Sequence, residues 1–209
     1  MGISWRRHDE AVFVTDNRRM SKAKLYFLTA EDPQPLEHVR DFFREYLAGL
    51  GVDTSFQDID KEMAVLPGDY AAPRGALIYA ELDGRPAGCV GIRPLSETIC
   101  ELKRLYVSPE FRGHGVGHEL VIHAIQTARK FGYLKIMLDT IPSMRIAIKL
   151  YRELGFQEAP AYYQAPAEGT QFLALDLENW TDNDGHNDEL SHLFDFNAAW
   201  ARQMTQVDP

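Results

Sequence analysis

The chain has 209 residues, 45% hydrophobic and 25% charged, with a net charge of −9. That balance belongs to a soluble globular protein, long enough for one ordinary domain with modest extensions. The negative charge and the lack of any Lys/Arg run exclude a nucleic-acid binder, which needs a concentrated basic face. The longest apolar stretches, such as Ala76–Ala80, are too short to span a bilayer, so no membrane association is expected.

Residues 1–22 are polar and mixed in charge, and read as an N-terminal arm. Their opening, Trp5-Arg6-Arg7-His8-Asp9-Glu10, has no apolar core after its basic residues, so a secretory signal is not expected. Lys24–Thr29 reads as a strand, after which Pro33 and Pro35 interrupt the pattern. Val39, Phe43, Tyr46, Leu47 and Leu50 recur at helical spacing, with Gly51 placed as a C-terminal cap. A shorter helix is expected over 56–65, with Ser55 as its N-cap. Pro67-Gly68 and Pro73 mark a loop, and strand residues resume at Ala76–Tyr79. Asp83-Gly84 signals a hairpin turn that returns the chain through Ala87–Ile92.

A further strand covers Ile99–Val107, followed by Ser108-Pro109 and the glycines 113, 115 and 117. Val116, Leu120, Val121, Ala124, Ile125 and Ala128 keep a helical period. Tyr133–Leu138 reads as a strand. Pro142-Ser143 opens another helix, with Met144, Ala147, Ile148 and Tyr151 near one face and Gly155 at its end. Phe172–Leu177 is the last strand. The alternation of strand and helix predicts an α/β sheet covered by helices. Trp180–Gly185 reads as a linker, and Leu190, Leu193, Phe194, Ala198 and Trp200 fit an amphipathic helix after it. Asp182, Asp184 and Gly185 fail the calcium-loop spacing, so no metal is expected. Cys89 and Cys100 lie inside apolar segments and read as buried, reduced thiols, as in the cytoplasm.

Chemistry concentrates between Glu101 and His118, where a strand runs into a glycine-rich turn and then a helix. Such a turn aims backbone N–H groups and the positive end of the helix dipole at one spot. Arg112 adds a fixed positive charge, and a pyrophosphate is the ligand that fits best. The dinucleotide fingerprint fails because His118 stands where a glycine is needed, and no P-loop lysine follows. What remains is R-x-x-G-x-G, from Arg112, Gly115 and Gly117. Taken alone, it is equally a tight turn capping a helix.

Farther along stands Ala147-Ile148-Lys149-Leu150-Tyr151-Arg152-Glu153-Leu154-Gly155-Phe156. With Leu105-Tyr106-Val107-Ser108-Pro109 and the glycine turn, it resembles the GNAT superfamily of N-acetyltransferases, firmly over 99–157 and more loosely over 23–178. The resemblance implies a mixed, strongly twisted central sheet, splayed open beside the strand ending at Val107 and flanked by helices. It places the acetyl-coenzyme A arm against Leu105, Tyr106 and Val107, and the pyrophosphate on Arg112, Gly113, His114, Gly115, Val116, Gly117 and His118. Tyr151 matches the family tyrosine beside the cofactor sulfur, which protonates the leaving thiolate; packing on an amphipathic helix is the other reading. Glu101 stands where many relatives keep a general base; an ion pair with Lys103 is the other reading. A backbone N–H near Val107 would hold the oxyanion.

His114 and His118 either touch phosphate or are passive, and Tyr162 and Tyr163 either border the acceptor site or pack at a strand end. Cys100 points away from Glu101 on a regular strand, against an acyl-cysteine route. Many relatives carry an asparagine where this chain has Met144, so that side-chain contact to the cofactor is absent. The resemblance implies transfer of acetyl from acetyl-coenzyme A to a primary amine of a small molecule, amino acid or peptide, within residues 23–178, with 179–209 as an extension. A homodimer is compatible with it, and a non-catalytic acyl-coenzyme A sensor or interaction module is the alternative on the same fold.

Overall fold

The computed structural model describes residues 23–50, 59–165 and 168–181. The expected arm, Gly51, Ser55 and the helix at 190–200 lie outside them. The strands are β1 (Ala23–Phe27), β2 (Ala76–Leu82), β3 (Arg85–Pro94), β4 (Ile99–Val107), β5 (Lys135–Thr140), β6 (Gln157–Glu158) and β7 (Gln171–Asp176). The helices are α1 (Pro33–Leu50), α2 (Ile59–Ala64), α3 (Val116–Lys130) and α4 (Arg145–Glu153). The strands form one sheet in the order β1-β2-β3-β4-β5-β7-β6. Every neighbouring pair is antiparallel except β4 and β5. A parallel pair needs a crossover, which α3 supplies.

Two cores sandwich the sheet. Under α3, its Val116, Leu120, Val121, Ala124, Ile125 and Ala128 meet Ile78, Val90, Ile92, Cys100, Leu102 and Ile136. Under α1, Leu36, Val39, Phe42 and Phe43 meet Leu77, Tyr79, Cys89 and Tyr106. Full burial of each large aliphatic side chain contributes about 1.5–3 kcal/mol. Both cysteines are buried and free. Burial pushes the Cys100 thiol up to about 12, which keeps it a thiol at neutral pH.

The prolines at 33 and 35 open α1 rather than ending a pattern. Asp32 turns the chain by accepting the Thr29 N–H and hydroxyl at 2.8 Å each, and the Leu36 N–H bonds the Asp32 carbonyl. Prolines in a first turn forfeit only N–H groups that lack intrahelical acceptors. Trp180, read from composition as linker, packs against the α3-side core and donates its indole N–H to the Leu154 carbonyl at 3.1 Å. The strand β6 was not expected; two residues are too short for a periodicity to show. Among the described residues, no helix is long and apolar enough to cross a membrane.

Candidate active site

The strands β4 and β5 pair only through Ile99–Lys135, Cys100–Ile136 and Glu101–Met137. Beyond Glu101 they separate, although β4 runs on to Val107 and β5 to Thr140. Among the described residues, the β5-facing edge of β4 beyond Glu101 has no strand partner. Backbone amides on such an edge take an extended, amide-bearing ligand by the bonds a neighbouring strand would make.

At the mouth of this splay lies the glycine turn. Gly113 and Gly115 both have φ of +81°, and an added Cβ at either would meet nothing within 4 Å. Glycine is therefore required by backbone conformation, and the space beside the turn is open. Gly115 is the N-cap of α3 and offers its first turn no side-chain hydrogen bond. Arg112 is exposed and folds back along the strand end. Its Nε donates to the Val107 carbonyl at 3.1 Å, and its guanidinium lies 6.0 Å over the Tyr106 ring. His114 is exposed, its Nδ1 3.1 Å from the Arg112 carbonyl; His118 is half-buried in the first turn of α3.

Tyr151, on α4, belongs to the α3-side core. It is buried, its ring 5.6 Å from that of Phe156. Burial, with the nearby Tyr46 and Asp139, holds its hydroxyl well above the usual phenol range. That hydroxyl forms no hydrogen bond among the described residues.

Glu101 is 1% exposed, and both carboxylate oxygens are engaged. Oε2 accepts Arg93 Nε at 2.7 Å; Oε1 accepts the Tyr162 hydroxyl at 2.6 Å and lies 3.5 Å from Lys103 Nζ. Lys103 is also 3.6 Å from Asp139, and Tyr163 bonds Asp139. Burial and the Glu101 charge push the Tyr162 hydroxyl far up, so it stays protonated. The ion pair with Lys103 exists as one part of this larger cluster, and Cys100 faces away from it into the α3-side core.

A bulge sets which side chains share this face. Arg104 has φ of +60°, and the β3 register shifts beside it. Before the bulge Glu101 and Lys103 share the cluster; after it Tyr106 lies on the α1 side, while Leu105 and Val107 pack toward α3. Regular alternation would have put Tyr106 on the opposite face from Glu101. The bulge is held from α2: Arg104 Nε and Nη2 donate to Glu62 at 2.9 and 2.7 Å, and the Tyr70 hydroxyl adds 2.6 Å. Burial pushes the Glu62 carboxyl up, but Arg104, with Tyr70 and Lys103, outweighs it and leaves it below the usual range. Tyr70 lies flat on Gly91, where a Cβ would come within 2.5 Å of its ring. Tyr106 donates to Glu45 of α1, and burial with that bond pushes its hydroxyl up to about 12.

Glu101 and Tyr106 thus share the α1-facing side of β4, the turn at 112–118 follows that strand, and Tyr151 comes near Asp139 of β5 and Tyr46 of α1. Sequence reasoning missed Arg93, Asp139, Tyr46 and the Glu62–Arg104 pair, and left Tyr162 undecided. Among the described residues, no group of His, Cys, Asp and Glu is arranged to hold a metal ion.

The sequence profile of the Acetyltransferase (GNAT) family matches residues 36–156. An uncharacterized N-acetyltransferase of Schizosaccharomyces pombe is 36% identical over 147 residues, covering 69% of this chain and 90% of its own. An acetyltransferase structure from Streptococcus agalactiae superposes with a TM-score of 0.62 at 18% identity, over 74% of this chain and 98% of that one. A GNAT family acetyltransferase from Elizabethkingia anophelis, solved with acetyl-CoA bound, gives 0.53 at 21% identity, over 74% and 98%. At these identities the two structures speak to the fold.

Proposed function

The chain belongs to the acetyltransferase (GNAT) family, and from that premise we propose that it moves acetyl from acetyl-coenzyme A onto a primary amine by direct attack. The observation that carries this reading is the β4–β5 splay with, at its mouth, a helix start that has no side-chain cap. The acceptor is an amine of a small molecule, amino acid or peptide, and the catalytic unit is 23–178.

The pantetheine amides bond the free edge of β4 at Leu105–Val107, and the pyrophosphate lies on the N–H groups of 113–118, with Arg112 beside it. This puts the thioester near the end of β4, where a backbone N–H near Val107 polarises its carbonyl. The amine attacks, the C–N bond forms, and the C–S bond breaks as the tetrahedral adduct collapses. Tyr151 gives its proton to the departing sulfur. An ordinary phenol, with a pKa of about 10, is a weaker acid than a thiol of about 8.5. Burial raises the phenol further, but the same dry surroundings raise the thiolate's demand for a proton. The acceptor arrives as an ammonium: Glu101 takes the first of its protons before attack, and the second passes during collapse to Tyr151, replacing the one given to sulfur.

The test is release of free thiol from acetyl-coenzyme A across a panel of amines, amino acids and peptides. Amine-dependent release is expected. Tight binding of acetyl-coenzyme A with no release from any amine would favour a sensor on the same fold.

A further inference from the structure

Glu101 cannot itself touch an amine. It is 1% exposed, Arg93 holds one oxygen, and Tyr162 and Lys103 share the other. Any proton that reaches it must pass through a group already bonded to it. Arg93 has no spare lone pair, and Lys103 is itself an ammonium between Glu101 and Asp139. Tyr162 alone of the three is both donor and acceptor, and it is half-buried rather than sealed.

Resting on the acetyltransferase reading above, we propose that Tyr162 is a catalytic residue: its hydroxyl relays the acceptor's ammonium proton to Glu101. The ammonium passes a proton to the Tyr162 oxygen while the Tyr162 O–H passes its own to Glu101 Oε1. The freed nitrogen lone pair then attacks the thioester. The second N–H proton leaves during collapse, by way of Tyr151, to the sulfur. Glu101 ends as a neutral acid and returns its proton to solvent along the same path after the products leave. The sum is one ammonium and one thioester in, and one amide, one thiol and one proton out. No tyrosinate forms at any point, which suits a hydroxyl that its surroundings keep protonated.

The support of Tyr162 fits a fixed relay. Its ring meets Phe172 of β7 edge-on at 5.1 Å and Tyr163 at 5.3 Å, so its position does not depend on the hydroxyl. Among the described residues, the charged and titratable groups facing the pair are Arg93 from β3, Lys103 from β4, Asp139 from β5 and Tyr163 beside it, with Tyr46 from α1 behind Tyr163. Arg93 and Lys103 stabilise the Glu101 carboxylate, and Asp139 opposes them.

The experiment compares the full chain with Tyr162→Phe on two acceptors: the best amine from the thiol-release screen, and its β,β,β-trifluorinated analogue, whose three fluorines acidify the ammonium enough to leave the amine neutral at neutral pH. A relay matters only for the amine that arrives protonated. Tyr162→Phe should lower kcat roughly 10²-fold with the basic amine and leave the fluorinated one almost unchanged, with KM for acetyl-coenzyme A unaltered. Its acidic limb in kcat/KM should rise to the basic amine's own pKa. Glu101→Gln should discriminate between the amines in the same way, and the double variant should lose no more than either. Equal losses on both amines, or none, overturn the relay while the acetyltransferase reading stands; a native chain inactive with every amine overturns both. Without any variant, the native solvent isotope effect on kcat should curve with deuterium content for the basic amine, because two protons move together. A linear dependence overturns the relay.

Discussion

The two faces of β4 are built from one strand and do opposite things. Toward α3 it presents Cys100, Leu102, Leu105 and Val107, a dry surface that α3 covers. Toward α1 and α2 it presents Glu101, Lys103, Arg104 and Tyr106, each held by named polar partners. The first face tolerates only shape changes. The second holds several buried charges whose cost is met only while every partner is in place. Along β4, apolar packing and polar pairing are divided by face of the strand rather than by segment of sequence.

That division can be broken hardest at the donor end. Gly115→Glu puts a carboxylate where phosphate approaches and a side chain at φ of +81°. Calorimetric binding of acetyl-coenzyme A should fall below detection, and native affinity in that variant would remove the turn from the donor site. Next, Arg104→Met strands the Glu62 carboxylate under α2. It should cost about 3–5 kcal/mol in denaturant unfolding, whereas Arg104→Met with Glu62→Met should recover most of that. A double variant as unstable as the single one would place the cost in the bulge backbone rather than in the unpaired charge. The smaller effect comes from Tyr151→Phe, which keeps the ring packed on Phe156. Acetyl-coenzyme A affinity should stay, while kcat drops about 10²-fold. Native kcat, with chemistry limiting, would reduce Tyr151 to a core residue.

Much of this arrangement was legible because it is local. The bounds of β4 and the first residue of α3 follow from period and turn residues, and the turn itself from glycine spacing. Glu101 and Tyr151 stood out by resemblance. What stayed hidden depends on distant pairing. Asp139 and Tyr163 meet only once β5 and the segment before β7 are placed. The Arg93–Glu101 pair left a trace: the two lie at equal distances on either side of Glu97, as cross-strand partners about a turn must. The bulge left none, because arginine is not a residue that advertises a left-handed backbone. The prolines before α1 misled because proline breaks helices inside but opens them at the start.

Arg104 is an extra residue in a strand whose partner, β3, does not have one. The consequence concerns heredity more than chemistry. Substitutions along β4 each disturb one contact, and a population of such sequences can drift. Loss of a single codon between Lys103 and Tyr106 exchanges the two faces for the rest of the strand, turning Tyr106 toward α3 and Val107 toward α1. The strand is thus free to vary in spelling and held fixed in length, and descendants of this gene should carry their insertions and deletions elsewhere.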